Sequence, residues 1–141
     1  MDSIMSKKIL FIASALLGLS ACQTSTSVDT PTIAIEGTWH IEAAQGQSVI
    51  DYSPAQLIFA ADGTLSGNNS CNQFFGQYKL EGTQLTLSPA GSTMKACIEA
   101  LMSQEQRVMQ AMSKITTAES ANGKLLLKDA EGEAQLVLSK Q

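Results

Sequence analysis

The sequence predicts an α+β domain, an antiparallel, barrel-like curved sheet with one long amphipathic helix packed on it. Three observations carry that prediction. Apolar and polar residues alternate along most of the chain after Ile33, which is the period of half-buried strands. Turn pairs containing Gly separate these runs at hairpin spacing. A single stretch, Ile98 to Ile115, changes to the helical period.

The elements follow in order. Trp39, Ile41 and Ala43 alternate with Thr38, His40 and Glu42 in a first strand, and Gln45-Gly46-Gln47 turns the chain. Gln56 to Ala60 and Thr64 to Gly67 flank Ala61-Asp62-Gly63, a hairpin signal because Asp-Gly accepts the positive φ of a tight turn. Gln77 to Leu80 and Gln84 to Leu87 repeat the device around Glu81-Gly82. In the helix, Ile98, Leu101, Met102, Val108, Met109, Met112 and Ile115 form the apolar stripe. Glu99, Gln104, Gln106, Gln110 and Lys114 fall off that stripe, and the helix covers one face of the sheet. Thr116 to Glu119 is a short strand before the Asn122-Gly123 turn. Lys124 to Lys128 and Ala134 to Leu138 pair across Asp129-Ala130-Glu131-Gly132.

With 141 residues, the chain holds one domain. Lys and Arg total 9 against 13 Asp and Glu, and no basic run exists, so a nucleic-acid partner is not expected. One His and three Cys do not make the ligand pattern of a zinc finger, and the glycines form no phosphate-binding fingerprint. No acid–base pair or activated nucleophile is legible, so the expectation is a protein that is not an enzyme and takes no cofactor or metal.

The first segment stands apart from the fold. Lys7 and Lys8 precede the apolar run Ile9 to Leu19, which is too short to span a bilayer stably. Leu19-Ser20-Ala21-Cys22 follows, and it resembles the bacterial lipobox. That resemblance implies a lipoprotein signal peptide over residues 1–21, with Met1 or Met5 as the start, and a Cys22 that carries diacylglycerol and a further acyl chain such as palmitate. Several chains anchor far more firmly than one. Gln23, in place of a retention Asp, points to the outer membrane, with the periplasmic face expected. Residues 22–32 are polar and Ser/Thr-rich, the composition of a flexible tether. The domain occupies residues 33–141.

Within that domain, Ser70-Cys71-Asn72 followed by Phe74-Phe75-Gly76-Gln77-Tyr78 resembles the G-C-N-x-F-x-G-x-Y segment of META domains, the family that includes HslJ-like heat-shock proteins. Thr93-Met94-Lys95-Ala96-Cys97 resembles the T-x-M-A-C helix start of the same family, and Gly37-Thr38-Trp39 and the Leu-rich final hairpin also fit. The chain departs from the pattern at Ser70, where Gly is usual, and at Lys95, where Met is usual. The resemblance implies a small antiparallel sheet with a helix, an envelope setting and a link to stress response. Its motif positions here are Asn72, Phe74, Gly76, Tyr78 and Thr93.

Several residues admit two readings. Once Cys22 carries lipid, Cys71 and Cys97 are left in an oxidising compartment, as a disulfide that pins helix to sheet or as two separate buried thiols. Asn68, Asn69 and Asn72 either line a polar ligand pocket or satisfy local backbone groups. His40 is a strand-surface residue or a general base. Of Phe74 and Phe75, one points outward if both are extended, offering a contact for a partner. The functional expectation is a monomeric, lipid-anchored binding or stress-protective module with an unidentified protein or small-molecule partner. The alternatives are a soft-metal-sequestering protein, using Met94, Met102, Met109 and Met112 with His40, and an inhibitor of an envelope or host hydrolase.

Overall fold

The computed structural model describes residues 32–141. The expected signal peptide, Cys22 and the expected tether up to residue 31 lie outside the described residues. The strands are β1 (Gly37–Ala44), β2 (Gln47–Ser48), β3 (Gln56–Phe59), β4 (Thr64–Asn68), β5 (Gln73–Glu81), β6 (Gln84–Ser92), β7 (Thr117–Ala121), β8 (Lys124–Lys128) and β9 (Ala134–Lys140). The helix α1 spans Glu99–Lys114, between β6 and β7.

All neighbouring strands pair antiparallel, in the order β2-β1-β3-β4-β5-β6-β7-β8-β9, and β9 returns to pair with β1. A ring of hydrogen bonds therefore runs around the curved sheet. It is thinnest between β6 and β7, where Gln84 and Thr117 are the one registered pair. There Leu85 N–H donates to Thr116 O and Ala118 N–H to Thr83 O. The expected turns form: Asn122 and Gly123, for example, both take positive φ (52° and 75°) to join β7 to β8.

Alternation places one face of each strand inside the curve. Trp39, Ile41, Leu57, Phe59, Leu65, Phe74, Leu85, Leu125, Leu127, Leu136 and Leu138 are buried in one cluster there. Each of the larger side chains contributes about 1.5–3 kcal/mol by leaving water. The helix packs against β9, β1 and β6, and it adds Val108, Ala111 and Met112 to that cluster. Ile35, just ahead of β1, joins too, and its carbonyl accepts a 2.7 Å hydrogen bond from Trp39 Nε1.

The phase of the helix differs from the sequence expectation. Met102 and Ile98 are exposed (44% and 58%), whereas Gln104, expected off the apolar stripe, is completely buried. The inward stripe runs through Gln104, Val108, Ala111, Met112 and Ile115. Met102 lies about 120° around the helix from Val108, beyond the edge of that stripe. An apolar pattern that includes Ile98 and Met102 tilts the inferred face away from the one that Gln104 occupies.

Strands β5 and β6 are longer than the short pair expected, and the extension matters. Phe74 and Phe75 lie in extended strand and alternate, so Phe74 is buried (2%) and Phe75 is exposed (59%). The β5–β6 register shifts between Phe75 and Gly76. A Cβ on Gly76 would meet Ser88 O at 2.2 Å and Pro89 Cα at 2.8 Å, so only glycine allows the backbones this close.

Candidate functional site

The sequence motifs converge at the β4–β5 turn. Asn68 Oδ1 accepts from Ser70 N–H (2.8 Å), and Asn69 Oδ1 accepts from Asn72 N–H (2.9 Å). Short Asn side chains thus satisfy the donors that a tight turn leaves open. Ser70 itself sits at φ 113°, a conformation that a residue with a Cβ rarely adopts.

Asn72, 5% exposed, ties this turn to the segment between β6 and α1. Its Oδ1 accepts from Thr93 Oγ1 (2.9 Å) and Lys95 N–H (2.7 Å). Its Nδ2 donates to Lys95 O (3.3 Å) and to both carboxylate oxygens of Glu105 (3.2 Å each). Asn69 Nδ2 donates to the same Glu105 at 3.0 Å. Thr93 Oγ1 in turn accepts from Gln73 N–H (3.1 Å). One turn, one loop and the helix therefore share a single set of side-chain hydrogen bonds.

Buried Gln104 extends the set to the β2–β3 loop. Its Oε1 accepts from Ile50 N–H (2.9 Å), and its Nε2 donates to Ser53 Oγ (2.6 Å) and Ser70 Oγ (2.8 Å). Sequence reading missed this residue. The available signal was its place on the stripe Leu101, Gln104, Val108, Ala111, where one polar group in an apolar row has to find partners. Cys71 and Cys97 are joined by a disulfide with Cα atoms 5.9 Å apart, which fastens the turn to the helix start covalently.

The motif positions thus hold the structure together. Asn72 and Thr93 are in the clamp, Phe74 is in the core, and Gly76 permits the close β5–β6 approach. Tyr78 OH donates to Ala60 O (2.6 Å), and its ring meets Phe59 edge-on at 5.0 Å. Burial, then the nearby Glu36 and Asp62 charges, push the Tyr78 phenol above its ordinary value. For Asn69 and Asn72 the geometry favours satisfaction of the chain's own groups over a ligand pocket, whereas Asn68 bonds Ser70 N–H and also lines a cleft.

Ser70 permits a test with an unusual sign. Ser70→Ala keeps the positive φ but removes the oxygen that Gln104 bonds, and it should cost about 1–3 kcal/mol in urea unfolding. Ser70→Gly loses the same oxygen while relieving the backbone, so it should be the less damaging of the two. That order reverses the usual ranking of Ala and Gly.

The groups open to a partner lie on the outer face of β1, β3, β4 and β5, which meets the turn at Asn68. Register places His40 opposite Gln56, Gln56 opposite Asn68, and Asn68 opposite Gln73, so one polar row crosses four strands. Ile58, Ser66 and Phe75 make the adjacent row. All of these except Phe75 line an open cleft of about 530 Å³, with Ser53 and Gln141 at its border. That volume lies within the range of roughly 300–1,000 Å³ common to small-molecule sites. His40 thus sits on the strand surface. The methionines are spread: Met112 in the core, Met109 half-buried, Met94 and Met102 exposed. Among the described residues, no three His, Cys, Asp or Glu side chains gather as a metal site.

The chain matches known proteins at the level of family and fold. A family model described as the META domain matches residues 31–141. No curated protein matches the chain. An NMR structure of a protein from Burkholderia xenovorans is similar at a TM-score of 0.60 and 22% identity, covering 75% of this chain and 82% of that one. A second NMR structure gives a TM-score of 0.57 and 22% identity, over 74% of this chain and 88% of that one. A crystal structure of a DUF4847 family protein from Bacteroides vulgatus gives a TM-score of 0.56 and 14% identity, covering 75% and 93%. At these identities the likeness is one of fold.

Proposed function

Because the chain belongs to the META domain family, matched over residues 31–141, we propose that it is a non-enzymatic binding module held to the bacterial envelope by acyl chains on Cys22. The cleft on β1, β3, β4 and β5, with the Phe75 ring beside it, is its contact surface. The observation that carries this reading is the Cys71–Cys97 disulfide. It takes two of the chain's three cysteines and suits an oxidising compartment outside the cytosol. The third, Cys22, is the one that follows Leu19-Ser20-Ala21. The clamp supports the binding role as well. A surface backed by a covalent link and a shared hydrogen-bond set loses little conformational freedom when it engages a partner.

Palmitate labelling with cell fractionation tests the anchor. The wild-type protein should incorporate the label, lose residues 1–21 and sediment with outer membrane after a high-salt wash. Cys22→Ser should lose the label and either keep its leader or become soluble. A Cys22→Ser protein that still fractionates with outer membrane after the wash contradicts the lipid-anchor reading.

A further inference from the structure

The cleft has a chemical character of its own. In the clamp, each amide is paired with another group of the chain. On the outer face, by contrast, no hydrogen bond joins the Gln56, Ser66 or Gln73 side chain to another group among the described residues. These side chains lie in two adjacent cross-strand rows, close enough for one ligand to meet several of them. No Asp, Glu, Lys or Arg lines the cleft. At its side, Phe75 is opposite Ser66 in register. The far end of its ring lies over Gly91, where a Cβ would come within 2.6 Å of Phe75 Cζ. The ring therefore lies against the sheet over Gly91, with 59% of the residue exposed.

From this juxtaposition we infer that the cleft takes a neutral, polyhydroxylated ligand, a glycan chain, with Phe75 stacking on a sugar face. The inference rests on the binding-module reading and specifies its ligand. A carboxamide presents a donor and an acceptor side by side, which suits neighbouring hydroxyls that both give and accept. An aromatic ring supplies the apolar face on which the C–H side of a sugar packs. A charged ligand would give up hydration here with no Asp, Glu, Lys or Arg side chain to meet it. A peptide adding as a strand needs a free sheet edge. The strands under the cleft offer none: β1, β3, β4 and β5 are each paired on both sides.

Calorimetric titration of the full chain in detergent micelles, with maltotetraose and chitotetraose as probes, tests this. At least one sugar should bind saturably with Kd at or below about 1 mM. Phe75→Ala and Gln56→Ala should each weaken that binding about tenfold, with Gln73→Ala as a further check. All three change exposed or half-exposed side chains, so melting temperatures should stay near wild type, confirming folded protein. Saturation by neither sugar up to about 10 mM, or binding that all three variants leave unchanged, overturns the inference. So does a neutral Gly-Ser peptide that binds with the same variant sensitivity. A photo-crosslinking residue at position 75 separates this failure from failure of the wider reading. A discrete envelope adduct without sugar binding leaves the contact surface standing and the glycan class wrong. No adduct and no sugar binding overturn both.

Discussion

Replacing both cysteines of the Cys71–Cys97 bridge with alanine lowers the unfolding free energy by roughly 3.5 kcal/mol, the chain-entropy value for the 26-residue separation that it spans. That is a large share of the about 5–15 kcal/mol expected for a domain of this size. The melting temperature should fall by about 10–20 °C, and reductant should reproduce the fall in the wild type. The loop closed by the bridge contains all of β5 and β6, so the unfolded chain gains the freedom of two long strands when it is cut. In the native state, the bridge holds the β4–β5 turn against the start of a helix whose N-cap residue, Ile98, makes no side-chain cap hydrogen bond. The helix start therefore depends on the bridge and on the neighbouring clamp for its position. Thiol labelling of denatured, unreduced protein should find neither Cys71 nor Cys97 free. A melting temperature indifferent to reductant contradicts this account.

Asn72→Ala is the second large effect, about 2–4 kcal/mol in denaturant unfolding. The substitution removes both acceptor bonds at Oδ1 and the donors to Lys95 O and Glu105. It leaves Lys95 N–H and part of the Glu105 carboxylate without partners at a part-buried site. Unpaired polar groups in such surroundings cost more than the bonds themselves contribute. An exposed amide of the same helix makes the control. Gln110→Ala should change stability by no more than about 0.5 kcal/mol. Equal losses for Asn72→Ala and Gln110→Ala would mean that the Asn72 amide holds nothing in solution.

What the sequence made legible was what is local. Alternation and turn pairs placed the hairpins because side-chain direction and positive φ are set within a few residues of chain. The same rule separated Phe74 from Phe75 once both lay in one strand. The lengths of β5 and β6 were less legible. Pro89 and the small residues around it resemble a loop in sequence, and what extends the strands is pairing across a register shift that Gly76 permits. The helix phase was misread because Met102 and Ile98 are apolar without being inside. Hydrophobicity reports a tendency to be buried, and a neighbour has to be present to bury against. Gln104 was misread for the complementary reason. Its partners, Ile50, Ser53 and Ser70, come from loops 34 to 54 residues away in sequence, and no local pattern announces them. The outer cleft was invisible for the same reason, since His40, Gln56, Asn68 and Gln73 meet only through the registers of four strands.

Asn72, a motif residue, clamps the β4–β5 turn to the helix through Glu105. A double-mutant cycle between Asn72 and Glu105 tests it most directly, because the two side chains touch through a pair of 3.2 Å hydrogen bonds across 33 residues of chain. Unfolding free energies of wild type, Asn72→Ala, Glu105→Ala and the double variant should give a coupling of at least about 1 kcal/mol. Losses that add to within about 0.3 kcal/mol would contradict the clamp.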